Sequence, residues 1–375
     1  MRVTRRVFVS YGLTALGIIA VAYIFSKQDE GEPESPRIVF EDIATRLTVP
    51  WSLSFFSDDE ALITERGGVV KYVDFKSNSV ETVHEFKVAA VGEGGLLGVA
   101  TRKAGRRIEA YFYYTYRLGA NLRNRVVKTI FDGGLSDEMV IVDGIEGARI
   151  HDGGRIRFGP DGMLYITTGD AAKRALSQDI NSLAGKILRA KPDGGVPKDN
   201  PFPNSLIYSL GNRNPQGIDW HPVTGLLYST EHGPSGENGW FGHDEVNLIK
   251  PGGNYGWPHV IGAANDPRFI DPILHSGDDT WAPAGCSFHS GKAVEEWKNN
   301  LLFGALRGQH LHRVVIGENP RQVIMHEKLF VERFGRLRDV VEGPDGSIYI
   351  LTSNRDGRGI PRENDDKIIK IYGRR

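Results

Sequence analysis

The chain has 375 residues, of which 40% are hydrophobic and 25% are charged, so it can bury the core of one large domain or two ordinary ones and is not a disordered protein. Its 46 basic and 47 acidic residues give a net charge of −1, which supports neither nucleic acid nor an anionic membrane surface as a partner and favours a small or neutral ligand. The 46 glycines, 13 tyrosines and repeated Pro-Asp-Gly turns favour an all-β chain.

The first 25 residues form a separate segment. Arg2, Arg5 and Arg6 precede an apolar run over residues 11–25, and this pattern predicts an export signal of the twin-arginine type over residues 1–25. An uncleaved membrane anchor is the alternative, although about 15 apolar residues are fewer than the roughly 20 that span a bilayer. We therefore expect an exported protein that is periplasmic, extracellular or tethered to the outer face of a membrane, with membrane contact only through an uncleaved signal. Residues 26–36, rich in Glu, Pro and Ser, are predicted to be a linker.

A loosely repeated phrase organises the rest of the chain: an apolar strand, a turn that often resembles Pro-Asp-Gly, and a second strand with small polar residues at its end. Clear copies occupy residues 51–66, 156–170, 218–232 and 340–354, and degenerate copies lie at 97–115 and 301–316. Helical periodicity is weak, and only residues 292–302 are compatible with a short helix or a loop. The repeat predicts a six-bladed β-propeller with four-stranded antiparallel blades over residues 37–375.

The physical reason for a ring is that one four-stranded sheet cannot cover both of its apolar faces. Such blades pack radially against one another, and closing the ring leaves only short exposed edges. The ring also gathers loops from every blade at one end of a central channel, where a flat ligand is expected.

His151 and Asp152 precede the second clear copy of the phrase, at the predicted channel mouth. Imidazole is a suitable general base near neutral pH, and an adjacent carboxylate can orient it or raise its pKa. The residues alone leave open whether His151 is such a base or an ordinary loop histidine.

Five polar residues with planar side chains stand where strands begin. Arg213 and Asn214 lie in front of the third copy, and Arg307, Arg336 and Arg338 stand at strand entrances of the last two units. Arginine can hold a carboxylate through two hydrogen bonds, and arginines that converge from several blades indicate an anion in the channel. A hydrogen-bonded turn and surface salt bridges are the alternatives.

Residues 231–234 (EHGP), 244–247 and 251–258 concentrate oxygen ligands and turn formers. Calcium takes carboxylates and backbone carbonyls, but the spacing here is not that of an EF-hand, so the residues leave a calcium site open. Cys286 is the only cysteine, which excludes an intramolecular disulfide. Because it lies among small residues, it is predicted to be a buried packing residue rather than a nucleophile.

Taken together, these segments resemble the soluble quinoprotein family of glucose and aldose sugar dehydrogenases, from about residue 49 to residue 372. The resemblance rests on seven phrases in one order: GEGGLLGVA (92–100), HDGGR (151–155), LAGKILR (183–189) with PKDNPF (197–202), GNRNPQG (211–217), EHGP, NLIKPGGNYGWP (247–258) and RLRDVVEGPDG (336–346). Residues 235–243, which include Trp240 and Phe241, form a longer loop than the family leads us to expect, and the side chains at 261–265 match a family calcium site poorly.

The resemblance implies a six-bladed propeller that holds pyrroloquinoline quinone (PQQ) in its channel, with calcium bridging the cofactor to backbone carbonyls. The implied reaction oxidises aldose sugars at the anomeric carbon to lactones, and an external acceptor such as a quinone, a cytochrome or a dye takes the electrons. By this resemblance His151 removes the anomeric hydroxyl proton and Arg338 flanks the reacting quinone oxygens. The other implied positions are Arg213, Asn214, Arg307 and Arg336 on the cofactor, Glu93 and Asp152 near the substrate or base, and the carbonyls of Gly233 and Pro234 on the calcium.

Two other functions fit a six-bladed ring. A calcium-dependent propeller hydrolase of the lactonase kind would need carboxylate and asparagine ligands from several blades around one ion, whereas the channel candidates here are rich in arginine. A noncatalytic carbohydrate-binding propeller would not need the pairing of His151 with Asp152 or the set of arginines.

Overall fold

The computed structural model describes residues 37–374, so the predicted signal and linker lie outside the described residues. Within that range the chain forms six antiparallel sheets of four strands each, and the predicted six-bladed β-propeller is confirmed. Helical structure in the same range is limited to the 3-10 helices Arg174–Gln178, Glu237–Gly239 and Glu295–Trp297. No helix among residues 37–374 is both long enough and apolar enough to cross a membrane.

The strands follow one another blade by blade, and each of the first five blades runs in chain order from the inner strand outward. Blade 1 contains β2 (Pro50–Phe55), β3 (Glu60–Glu65), β4 (Val69–Asp74) and β5 (Ser79–Glu85), and blade 2 contains β6 (Leu96–Ala104), β7 (Arg107–Leu118), β8 (Asn121–Phe131) and β9 (Met139–Gly147). Blade 3 contains β10 (Ile156–Phe158), β11 (Leu164–Thr168), β12 (Lys186–Ala190) and β13 (Ile207–Leu210). Blade 4 contains β14 (Pro215–Trp220), β15 (Leu227–Glu231), β16 (Glu245–Ile249) and β17 (Leu274–His275), and blade 5 contains β18 (Pro283–Phe288), β19 (Leu301–Ala305), β20 (Leu311–Ile316) and β21 (Val323–Leu329).

Blade 6 closes the ring with strands from both ends of the described chain. It contains β22 (Leu337–Glu342), β23 (Ile348–Thr352), β24 (Ile368–Arg374) and, as its outer strand, β1 (Arg37–Ala44). Since β1 pairs antiparallel with β24, the ring is held shut by the backbone hydrogen bonds of one sheet.

Alternation along the strands explains why the blades stack. In β23, Ile348 and Ile350 belong to one buried cluster, which includes residues of blade 5, whereas Tyr349 and Leu351 belong to another, which includes residues of blade 1. Successive side chains of a strand point to opposite faces, so both faces of the blade are buried by its neighbours. The Pro-Asp-Gly turns fit the same plan: Gly162 has φ +72°, and Asp161 Oδ1 accepts the Met163 N–H at 3.0 Å, which fixes a tight turn between two strands.

A buried ion pair crosses the channel axis. The Arg155 guanidinium, directly before β10, donates to Asp339 Oδ2 of β22 and to Ser52 Oγ of β2, each at 2.8 Å. These contacts join blades 1, 3 and 6 beneath the loops. Cys286 is buried in β18 as predicted, and burial raises the pKa of its thiol, which does not favour a nucleophilic thiolate.

Candidate active site

A cavity of about 1340 Å³ opens among the loops that connect the blades. Glu93, His151, Arg213, Arg307 and Arg336 all line it, and each of them lies in a different loop between strands. The structure therefore brings together five of the residues selected from the sequence.

His151 is oriented by a carboxylate from the connection between β11 and β12 rather than by its neighbour Asp152. Its Nδ1 lies 2.7 Å from Asp170 Oδ1, and Asp170 Oδ2 accepts the indole N–H of Trp257 at 2.8 Å. An ionised carboxylate only accepts hydrogen bonds, so this contact assigns the imidazole proton to Nδ1 and leaves Nε2 as an acceptor. Nε2 lies 4.0 Å from Glu237 Oε1, which also lines the cavity. A histidine held in this way can accept a proton from a bound hydroxyl group.

Asp152 is buried, and its carboxylate is held by groups other than His151. Its Oδ1 accepts hydrogen bonds from Asn124 Nδ2 and from the Ala148 N–H, both at 3.0 Å, and its Oδ2 has no partner among the described residues. Burial raises the pKa of this carboxyl group to about 7. The expected pairing of His151 with the adjacent carboxylate is thus corrected, because the left-handed backbone at His151 (φ +62°) and its bond to Asp170 direct the two side chains to different partners.

Glu93 supports the backbone of the same loop. Its Oε2 accepts the His151 N–H at 3.0 Å, and its Oε1 accepts a hydrogen bond from Arg358 at 2.7 Å. Burial alone would raise the pKa of Glu93, but the His151 N–H and the charge of Arg358 lower it to about 2. The carboxylate is therefore ionised at neutral pH and fixes the position of His151.

The arginines differ in how fully they are paired. Arg336 donates to Asp356 Oδ2 from two nitrogens, at 2.7 and 2.9 Å, whereas the exposed Arg307 side chain reaches the cavity rim. Arg213 pairs with Glu237 and donates to the His232 carbonyl at 3.2 Å, but its Nε has no partner among the described residues.

Arg338 and Asn214 are not among the residues that line the large cavity, but both are buried beside His232, which does line it. Arg338 donates to Gln216 Oε1 at 2.6 Å, and burial together with the nearby Arg336 lowers its pKa to about 9. Asn214 Oδ1 accepts the Gly153 N–H at 3.0 Å. Among the described residues, Arg338 Nε, Asn214 Nδ2 and the Nε2 of the cavity-lining His232 are buried without a partner. Buried polar atoms are normally satisfied, so these groups suit a polar ligand.

Gly233 and Pro234 line a narrow cleft together with Arg213 and His232. The Gly233 N–H donates to Asp244 Oδ1 at 2.8 Å, and a Cβ at this position would lie 2.0 Å from the Gly242 carbonyl oxygen, so the close approach of these two backbone segments requires glycine. Across residues 37–374, no group of three or more His, Cys, Asp or Glu side chains is arranged to hold a metal ion. Oxygen ligands within the cleft would come from its backbone carbonyls and from Glu231 and Glu245, which also line it.

Four functional residues were not singled out from the sequence. Asp170 and Trp257 hold the imidazole, Arg358 pairs with Glu93, and Glu237 faces His151 and Arg213. Two features of the sequence could have drawn attention to them: Asp170 ends a repeated phrase, and Glu237 is the carboxylate in the long loop 235–243. Neither feature identifies the side chain that each carboxylate contacts, because that contact depends on the fold.

The chain is similar to a known protein family and to several solved structures. Residues 47–362 match the family model described as Glucose / Sorbosone dehydrogenase. The PQQ-bound aldose sugar dehydrogenase of Streptomyces coelicolor is 32% identical, with a TM-score of 0.78 over 90% of this chain and 99% of that chain. A candidate oxidoreductase (glucose dehydrogenase) of Thermus thermophilus is 44% identical, with a TM-score of 0.81 over 89% and 99% of the two chains.

The aldose sugar dehydrogenase YliI of Escherichia coli is 30% identical over 84% of this chain and 90% of its own length. The match of the family model covers most of the described residues and includes every residue that lines the large cavity. The chain belongs to the glucose/sorbosone dehydrogenase family.

Proposed function

We propose that this protein oxidises aldose sugars at the anomeric carbon to lactones, with PQQ as its redox cofactor and calcium as the metal of that cofactor. The observation that carries the proposal is the convergence of His151, Arg213, Arg307 and Arg336 on one cavity. Guanidinium groups suit a flat molecule that bears carboxylates and quinone oxygens. The PQQ-bound relative from Streptomyces supports the same cofactor for this chain, and the family match favours an oxidoreductase over the hydrolase and the noncatalytic alternatives.

In this mechanism, Arg213, Arg307 and Arg336 bind the cofactor from separate loops, and the unpartnered nitrogens of Arg338 and Asn214 supply further donors. The carbonyls of Gly233 and Pro234 would hold the calcium. When bound, PQQ would supply the hydride acceptor and calcium would act as a Lewis acid. Substrate orientation and proton transfer are carried out by residues of the protein.

His151 Nε2 accepts the proton of the anomeric hydroxyl while the hydrogen on the same carbon leaves as hydride, so that the sugar loses two electrons and two hydrogens and becomes a lactone. Asp170 keeps the imidazole in the accepting tautomer and stabilises the imidazolium that forms, as a buried carboxylate does in other histidine-dependent enzymes. Glu93 accepts the His151 N–H at 3.0 Å and so fixes the backbone of the base.

Electrons must then leave to an external acceptor, for which we propose a quinone or a cytochrome, or a dye in the assay. The arginine-rich and apolar N-terminal pattern supports export to the periplasm or beyond.

Reconstitution tests the proposal. Protein freed of metal and cofactor should oxidise glucose with a dye only after PQQ and calcium are both added. His151→Ala and Asp170→Asn should each lose about 10²–10⁴-fold in kcat while still binding PQQ, measured by its absorbance after gel filtration. Asp152→Asn is the matched control. It is also a change from Asp to Asn near His151, but the Asp152 carboxylate does not contact the imidazole, so this variant should retain most activity. Lactone hydrolysis that is independent of PQQ would instead support the hydrolase.

A further inference from the structure

We infer that Glu237 is a specificity-determining residue that binds the hydroxyl group next to the reacting carbon, so that the enzyme selects aldoses with a free hydroxyl at C2. This inference rests on the proposed function, because it assumes that a sugar hydroxyl donates to His151. It concerns a residue of the long loop 235–243, which the proposed mechanism does not use.

Glu237 stands at the boundary between two cavities. The large cavity and a second one of about 380 Å³ share Ile150, His151 and Glu237 as wall residues. The second cavity is completed by Asp170, Ala172, Arg174 and Trp257. A sugar that reaches Nε2 of His151 must therefore pass beside the Glu237 carboxylate.

The carboxylate is held in a fixed position. Glu237 Oε1 pairs with Arg213, and Oε2 accepts the Ser235 N–H at 2.6 Å. The loop itself is closed by a bond from the Gly236 N–H to the Trp240 carbonyl at 2.8 Å. A preorganised acceptor loses little conformational freedom when a ligand binds, which makes its contribution to selectivity larger.

The charge state of Glu237 determines which groups it can bind. Burial would raise the pKa of its carboxyl group, but the charge and hydrogen bond of Arg213 lower it. An ionised carboxylate accepts hydrogen bonds and donates none. Each of its oxygens uses one donor from the protein and has room for another, so the group favours a ligand O–H and disfavours a ligand oxygen that can only accept.

The two neighbours of an anomeric carbon differ in this respect. One is the ring oxygen, which only accepts hydrogen bonds, and the other is C2, whose hydroxyl can donate. Because Glu237 Oε1 lies 4.0 Å from His151 Nε2, a sugar whose anomeric hydroxyl donates to Nε2 presents one of these two neighbours to the carboxylate. The C2 hydroxyl is the favourable one, so Glu237 fixes which way the ring faces as well as which sugars bind.

The test compares glucose with 2-deoxyglucose as substrates of the full-length enzyme loaded with PQQ and calcium. Wild type should show a kcat/KM for glucose about 10- to 100-fold above that for 2-deoxyglucose, the range expected for one hydrogen bond to a charged group. Glu237→Ala should lower kcat/KM for glucose and leave that for 2-deoxyglucose nearly unchanged. The two values should then lie within about 3-fold of each other. Glu237→Gln should keep part of the preference because its amide oxygen still accepts a hydrogen bond.

Asp279→Asn provides the control. Asp279 lines the same cavity but pairs with Lys328 at 3.0 Å, so the variant should keep the wild-type ratio between the two sugars. The PQQ content of each variant, measured by absorbance, shows whether cofactor binding has changed. An unchanged ratio in Glu237→Ala, or equal losses on both sugars, overturns the inference while the proposed function stands. Failure of fully loaded wild type to oxidise either sugar overturns the proposed function itself.

Discussion

Asp152 carries a buried carboxyl group for which the proposed chemistry has no task. Burial raises its pKa from 3.8 to about 7 in the folded protein, so between these two values the folded chain keeps a proton that the unfolded chain has released. The contribution of Asp152 to the free energy of unfolding should therefore be highest below about pH 4 and should fall as the pH rises towards 7.

Asp152→Asn should remove this pH dependence, because the amide cannot ionise and its oxygen can still accept the bonds from Asn124 and Ala148. The difference in unfolding free energy between the variant and wild type should increase by on the order of 2–4 kcal/mol from pH 4 to pH 7, in favour of the variant. Urea unfolding at both pH values measures this gain, and parallel pH profiles of wild type and variant would contradict it.

At the level of single residues, the sequence predicts well which cationic side chains line the cavity but predicts poorly which carboxylates hold the site residues. Arg213 and Arg336 precede the inner strands β14 and β22, whereas Arg307 lies between β19 and β20. The predicted equivalence of the strand entrances is therefore wrong for Arg307, although all three arginines line the cavity. Asp170 was not identified as the partner of His151, since the two are 19 residues apart and meet only when a strand hairpin of the next blade is formed. An adjacent carboxylate such as Asp152 looks the better partner until the backbone dihedral angles are known.

Blade 5 shows the corresponding limit at the level of elements. Most copies of the repeated phrase correspond to the first two strands of a blade, as in β10–β11 and β22–β23. The degenerate copy at residues 301–316 corresponds instead to β19–β20, the second and third strands of its blade. The first strand, β18, is followed by a connection that contains the 3-10 helix Glu295–Trp297 rather than a tight Pro-Asp-Gly turn. The count of blades was nevertheless correct because every blade contributes at least one recognisable hairpin.

Inner strands of neighbouring blades approach so closely that some positions accept only glycine. A Cβ on Gly217 in β14 would lie 2.3 Å from Thr230 Oγ1 and 2.5 Å from the Ala284 carbonyl oxygen of the next blade. Gly217→Ala should therefore destabilise the protein by about 1–3 kcal/mol, the usual effect of overpacking. Gly67→Ala is the control, because nothing lies within 4 Å of its Cβ position, and it should unfold at the wild-type temperature. The melting temperatures of the two variants are measured by circular dichroism. Equal values would show that the neighbouring strands can move apart to accept a methyl group without a loss of unfolding free energy.

At the level of the whole molecule, the active site exists only while the ring is closed. The cavity takes residues from the loop before β6 to the connection between β23 and β24, so its geometry depends on all the contacts between blades. The last of these contacts is made through blade 6, where β1 joins the strands from the other end of the chain. Stability of that one sheet should thus control both the fold and the binding of any ligand in the channel.

Phe40 provides the test of closure. Its ring, carried by β1, packs against Phe330 and Phe334 at centroid distances of 4.9 and 5.3 Å, and the Arg333 guanidinium lies 4.0 Å from its centroid. Phe40→Ala should lower the unfolding free energy by on the order of 2–3 kcal/mol, less than for a fully buried phenylalanine because Phe40 is only half-buried. Phe241→Ala, which removes a ring that is 60% exposed, should change it by no more than about 0.5 kcal/mol. Urea unfolding followed by tryptophan fluorescence compares the two, and a Phe40→Ala midpoint equal to that of Phe241→Ala would mean that backbone pairing alone closes the ring.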